Sequence, residues 1–287
     1  MTTPAVSRAV LVTGCSSGIG RATAERLAAN GWPVYATARR RDAIADLEAQ
    51  GCHLLELDVT DERSMSAAVA TVEEREGAVG VLVNNAGYSQ SGALEEVPLE
   101  QARAQFETNV FGLLRMAQLV LPGMRRQGRG RIVNISSMGG KLTFPGGGLY
   151  HATKYAVEAL SDALRFEVAS FGVEVVVIQP GLIVTRFGET AVASVHDATP
   201  GEGPYSEFNT AVASATASAY SGPMGKLGAG PEAVAAVIER AITAKRPRTR
   251  YPVTASARVM MGLRRVLSDR GWDAMAARQF PRPGGSG

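Results

Sequence analysis

Tyr150 and Lys154 stand four residues apart in GLYHATKYAVEAL, a run with helical apolar periodicity. That spacing puts both side chains on one helix face, within reach of a common ligand. A phenol beside an ammonium can transfer protons. A phenol titrates near about 10, so acid/base work near neutrality needs a downward shift of roughly 3 units, or about 4 kcal/mol of added phenolate stabilisation. A nearby cation acts in that direction. Upstream, RIVNISS ends in Ser136 and Ser137, and either hydroxyl could hold an oxygen in line with the phenol. Singly these are ordinary features, since helical Tyr–Lys pairs are common and serine after a strand forms turns. Together they outline a site that moves a proton to or from a carbonyl or alcohol oxygen.

A second signal is TGCSSGIG, residues 13–20. Gly14, Gly18 and Gly20 allow a tight turn and close backbone approach to a pyrophosphate at a helix N-terminus, with Ser16, Ser17 and Ile19 completing the loop. Its spacing, G-x-x-x-G-x-G, departs from the commoner dinucleotide fingerprint, and alone it is a weak sign. The run VYATARR bears on the choice of nucleotide. An acidic residue at such a strand end bonds the ribose 2′-hydroxyl of NAD, but here Ala38 is followed by Arg39, Arg40 and Arg41. Guanidinium forks suit a 2′-phosphate, and cations are disfavoured at a helix start without such a partner. The expected cofactor is NADP(H), with NAD(H) less favoured.

TGCSSGIG, Asp58, NNAG (residues 84–87), Asn109, Ser137, Tyr150-x-x-x-Lys154 and PGLIVT (residues 180–185) occur in an order and at separations that resemble the short-chain dehydrogenase/reductase family. The resemblance spans about residues 8–190, is looser beyond, and is nearest the hydroxysteroid and retinol dehydrogenase-like branch. It implies that Asp58 bonds the adenine amino group and that Val59 adds a backbone contact. Asn85, Ala86 and Gly87 would flank the adenine ribose. Pro180, Gly181, Ile183 and Thr185 would hold the nicotinamide side, with Tyr150 and Lys154 also touching the cofactor. It selects Ser137 over Ser136 and makes Asn109 the holder of a water that links Lys154 to solvent. The implied catalytic set is Asn109, Ser137, Tyr150 and Lys154. The family also implies a homodimer or homotetramer, paired through the helices carrying Asn109 and Tyr150.

These residues need a scaffold. Short apolar runs at 9–13, 34–37, 53–57, 79–84, 131–135 and 173–179 read as strands, and a final strand is expected at 251–253. Because the runs are apolar throughout rather than alternating, they suit a parallel sheet covered on both faces by helices. Helices are expected at about 18–30, closing at Gly31, at about 150–170, and from Pro231. The result is an α/β fold: one doubly wound Rossmann domain over residues 1–280, with a C-terminal extension at 231–280. The weak pattern from 186 to 230 is expected to be a mobile substrate lid, and residues 281–287 a disordered tail.

With 287 residues, 45% hydrophobic and 20% charged, and a net charge of +3, the chain reads as an ordinary globular protein. Basic residues alternate with acidic ones along predicted helices, so no nucleic-acid partner is expected. Cys15 and Cys52 lack a disulfide framework, which fits the cytoplasm. The apolar run at 9–13 is too short for a signal segment. No stable membrane association is expected, and Thr254 to Leu267 should dock on the core rather than lie on a bilayer. His53, His151 and His196 lack metal-ligand spacing, so no metal is expected and His151 is a spectator. Met138, Leu142, Phe144, Leu149, Phe187 and Met224 are candidates for an apolar pocket that suits a lipophilic ketone or secondary alcohol. Lys141 and the glycines at 146–148 either line its entrance or shape a turn. The competing function is an NADP(H)-binding redox sensor without catalysis, which has no need of the full Ser/Tyr/Lys/Asn set. A nucleotide-sugar epimerase would need a larger C-terminal domain.

Overall fold

Val10 and Val12 pack with Val34, Ala36 and Val133, while Leu11 between them packs with Tyr35, Leu82 and Ile132 on the opposite side. A strand that buries both faces belongs inside a parallel sheet with a helix layer on each side. The computed structural model, which describes residues 6–198, 203–221 and 227–283, has that form. Strands β1 (Val10–Val12), β2 (Val34–Ala38), β3 (His53–Glu56), β4 (Val81–Asn84), β5 (Gly130–Ile135), β6 (Val173–Gln179) and β7 (Arg250–Pro252) form one sheet in the order β3-β2-β1-β4-β5-β6-β7. All neighbouring pairs are parallel. The expected strands are present with ends displaced by a residue or two.

Helices α1 (Gly18–Ala29) and α8 (Pro231–Thr243) cover one face, and α2 (Glu62–Glu76), α4 (Leu113–Arg126) and α5 (Gly148–Val168) the other. α1 ends where Gly31 takes φ 74°, and Pro231 opens α8 where no backbone N–H is needed. Between α3 (Leu99–Phe106) and α4 the chain widens into a π-turn, Glu107–Gly112, that carries Asn109. Gly112 permits the approach that goes with it, since a Cβ there would lie 2.4 Å from the carbonyl oxygen of Val59.

The expected lid contains two helices, α6 (Arg186–Ala198) and α7 (Ser206–Ser221). Val195, Phe208, Val212 and Ala213 form a small core of their own with Ala93 and Phe280. Polar ties join this cap to the segment after β4: Ser91 N–H donates to Ser194 Oγ at 3.0 Å and Ala93 N–H to Asn209 Oδ1 at 3.0 Å. The weak pattern arose because the apolar faces of α6 and α7 are built largely from Ala and Val mixed with Ser and Thr. The C-terminal part continues as α9 (Ala255–Val266) and α10 (Asp269–Ala276). Trp272 of α10 donates its indole N–H to the carbonyl of Thr143 at 2.9 Å and packs on Phe144. The expectation that residues 254–267 dock on the core holds only at one end: in α9 only Ser256 and Ala257 are buried. Of the expected tail, residues 284–287 lie outside the described residues, as does Met224.

Candidate active site

The loops following β1, β2, β4, β5 and β6 converge at the carboxyl edge of the sheet, where the strand order reverses between β1 and β4. They enclose a cavity of about 1400 Å³. Its wall includes every site residue expected from the sequence except Gly20 and Asn109, which are buried, and Arg40, which is exposed.

The glycine loop is built for a ligand to come close. Gly14 and Gly18 take φ of 75° and 59°, values costly for residues with a Cβ. A Cβ on Gly20 would lie 2.3 Å from the carbonyl oxygen of Gly14, so Gly20 serves the packing of the turn and not its surface. Asn85 holds the same turn by donating to the carbonyls of Thr13 at 2.9 Å and Gly14 at 3.1 Å. Across the cleft Gly18 faces Thr185, whose methyl would lie 3.3 Å from a Cβ on the glycine. Asp58 accepts from the backbone and hydroxyl of Thr60 at 2.9 and 2.8 Å, which holds its carboxylate at the wall. The amides at the start of α1, the two left-handed glycines and the open floor fit a dinucleotide pyrophosphate.

The arginine cluster is divided. Arg40 is held by Asp42 through bonds of 3.0 and 2.7 Å, and Arg41 reaches Glu48 at 3.5 Å. Arg39 lines the cavity. Arg40 and Arg41 are thus engaged with carboxylates outside the cavity, and of the three arginines only Arg39 stands in its wall.

Lys154 is buried and donates to the carbonyl of Ile135, at the end of β5, at 2.9 Å. Burial pushes its ammonium down to about 8. Its Nζ lies 5.7 Å from the centre of the Tyr150 ring, which also packs against Phe187 of α6 at 5.4 Å. Ser137 accepts from the N–H of Gly139 at 3.0 Å, leaving its own hydrogen available to the cavity. Ser136, the alternative, is buried, and its hydroxyl has no hydrogen-bond partner among the described residues.

Asn109 is almost wholly buried, with its side chain fully engaged. Its amide donates to the carbonyl of Tyr88 at 2.8 Å and to Thr153 Oγ1 at 3.1 Å, and its oxygen accepts from the Tyr88 N–H at 3.1 Å. It braces the segment after β4 against α5, next to Lys154.

Two groups escaped sequence reasoning. His151, read as a spectator, lines the cavity, and burial pushes its imidazole down to about 4. Its Nδ1 lies 3.1 Å from the carbonyl of Gly139, and that contact requires the proton on Nδ1. Glycine is needed at 139 and 147 because a Cβ at either would fall 2.4 or 2.8 Å from the ring. The MGG and PGGG runs were the available signal. Glu158, one turn after Lys154, is buried and accepts from Arg250 at 2.8 Å, Lys141 at 3.0 Å and Gln179 at 2.9 Å. Lys141 therefore ties the loop after Ser137 to α5. Of the expected pocket residues, Met138, Phe144 and Phe187 line the cavity; Leu142 is buried in packing, and Leu149 is not part of the wall. Val212, Met260, Met275 and Phe280, far along the chain, add to the apolar wall.

Residues 8–195 match the family model for short chain dehydrogenases, and with this sheet order and site the chain belongs to that family. It is an oxidoreductase of the class that acts on CH–OH groups with NAD(P). Among its relatives is the oxidoreductase YbbO of Escherichia coli (strain K12), itself uncharacterized, 34% identical over 274 residues and 95% of each chain. The NADPH-dependent 3-dehydrocapnine reductase of Ornithobacterium rhinotracheale is 35% identical over 272 residues, covering 92% of this chain and 94% of that one. A solved short-chain dehydrogenase from Streptomyces avermitilis superposes with a TM-score of 0.77 at 36% identity, over 95% and 94% of the two chains. No helix among the described residues is long and apolar enough to cross a membrane.

Proposed function

We propose that the chain reduces a lipophilic ketone to a secondary alcohol with NADPH, using Tyr150, Ser137, Lys154 and Asn109. The observation that carries this reading is Lys154: a buried ammonium beside the Tyr150 ring, in the wall of a cavity that the glycine loop opens into. Bound NADPH supplies the hydride. Tyr150 gives the proton to the carbonyl oxygen from its hydroxyl, and Ser137, oriented by the N–H of Gly139, donates a second hydrogen bond to that oxygen. Lys154 stabilises the phenolate so formed. The proton is replaced from solvent through a water held at the main chain of Asn109.

NADPH is preferred because Ala38 stands where NAD enzymes of this fold carry an acidic side chain, and Arg39, next in the chain, lines the cavity. Support also comes from the NADPH dependence in the name of the 3-dehydrocapnine reductase. The lipophilic substrate follows from Phe144, Phe187, Val212, Met260, Met275 and Phe280, which make the far wall of the cavity apolar. The cap formed by α6 and α7 serves as its lid. Exposed Phe111, Tyr155 and Phe166, on and beside α4 and α5, suit pairing of two copies through those helices.

The test is a panel of ketones of rising hydrophobicity, followed by loss of reduced-cofactor absorbance with NADPH and with NADH. Turnover that rises with hydrophobicity and favours NADPH is expected. NADPH binding with no turnover of any ketone would revert the reading to a redox sensor, and equal or better use of NADH would remove the role given to Arg39.

A further inference from the structure

Charge is divided unevenly along the chain. Residues 245–287 hold ten Lys and Arg and two Asp, for a net +8, whereas residues 1–244 carry a net −5. Within the basic end, α9 separates the cavity from the surface. Met260 lines the cavity, and Ser256 and Ala257 are buried behind Gly181. The exposed residues are Ala255, Arg258, Val259, Gly262, Arg265 and Val266, whose spacing traces one outward stripe. Val259 is 55% exposed and Val266 80%, and each directly follows an arginine.

Arg264, off that stripe, is paired with Asp269 at 2.5 Å and lies over Trp272. Arg258 and Arg265 have no such carboxylate among the described residues, although α10 supplies two aspartates nearby in sequence. Two more exposed apolar side chains, Val184 at 59% and Leu227 at 40%, belong to the segments tied to the start of α9. These flank the bridge between Ile183 and Ala229, which is tied to the helix by the Leu182 N–H donating to Ser256 Oγ at 3.2 Å.

Large apolar side chains facing water beside unpaired cations need a partner that is apolar and anionic at once. A second copy docked two-fold on the same face would bring the arginines of both stripes together, which disfavours it. An anionic bilayer satisfies both halves: valines enter the headgroup boundary while guanidinium groups meet lipid phosphates. We propose that the outward face of α9 docks on an anionic lipid bilayer, from which the lipophilic ketone enters the cavity behind Met260. The substrate part rests on the function proposed above; the surface part does not.

The test is flotation of the full chain with vesicles of phosphatidylcholine alone and of phosphatidylcholine mixed with phosphatidylglycerol, at low and high salt. The protein is expected to float with the mixed vesicles only and to be released by salt. The doubly substituted Arg258→Glu, Arg265→Glu protein should bind about tenfold or more weakly, from roughly one lipid-surface interaction lost per arginine. Val259→Ser with Val266→Ser should also release it, with unchanged melting and unchanged reduction of a short, water-soluble ketone. Failure to float with mixed vesicles, equal binding to neutral ones, or wild-type binding by both variants overturns the docking surface. So does a change of oligomeric state on substituting the stripe, which assigns the face to a second copy. Flotation by a protein that reduces no lipophilic ketone upholds the surface and sinks the substrate reading, whereas lipophilic ketone reduction without flotation does the reverse.

Discussion

Lys154 keeps its ammonium where burial resists it, and the consequence is a titration close to working pH. Burial lowers its pKa from 10.5 to about 8, so the cation beside Tyr150 is present below that value and lost above it. The kcat/KM for ketone reduction should hold steady to about pH 8 and then decline about tenfold per pH unit as Lys154 loses its proton. A flat profile to pH 10 would contradict the role given to this lysine. The sign for folding is opposite to that for catalysis: the unfolded chain keeps this proton to higher pH, so relief of the buried charge adds stability as pH rises from about 8.

His151 titrates on the acid side. Its folded value of about 4 lies below the ordinary 6.5, so between them the unfolded chain takes up a proton that the native site refuses. Stability should therefore fall as pH drops from 7 to 4, with up to about 3 kcal/mol from this residue. Denaturant melts of His151→Phe should show a smaller loss over the same interval. Equal losses in both proteins would free His151 of this part.

At the scale of elements, the readable features were those whose side-chain pattern has a single physical meaning. The strands were legible because runs such as VLV in β1 and VLVN in β4 are apolar on both faces. The Tyr150–Lys154 pair was legible because helical spacing alone puts both on one face. The π-turn at Asn109 was not, since it depends on Gly112 meeting Val59, 53 residues earlier in the chain. α6 and α7 were not, because alternating Ala, Val, Ser and Thr gives little contrast between faces. The glycine loop makes a test at this scale. Gly20→Ala would press its methyl into the Gly14 carbonyl, so a loss of about 1–3 kcal/mol is expected, with weaker NADPH binding. Unchanged melting and cofactor affinity would mean that the turn tolerates what the geometry excludes.

At the scale of the molecule, one end of the sheet gathers residues from nearly the whole length of the chain. The cofactor side was legible because its residues follow strands directly and in order. The substrate side was not, because Val212, Met260, Met275 and Phe280 reach it from helices whose placement depends on long-range packing. Glu158 shows the same limit: its partners Lys141, Gln179 and Arg250 come from three other parts of the chain.

In the proposed reaction Tyr150 delivers the proton while NADPH delivers the hydride. This division of roles is tested most directly by mixing saturating NADPH and a lipophilic ketone with wild-type protein and with Tyr150→Phe, then following cofactor oxidation in a single turnover. Both proteins should bind NADPH with similar Kd, and the variant should oxidise it about 10²–10⁴-fold more slowly, the range lost with a general acid. Oxidation by Tyr150→Phe at the wild-type rate would contradict the role given to Tyr150.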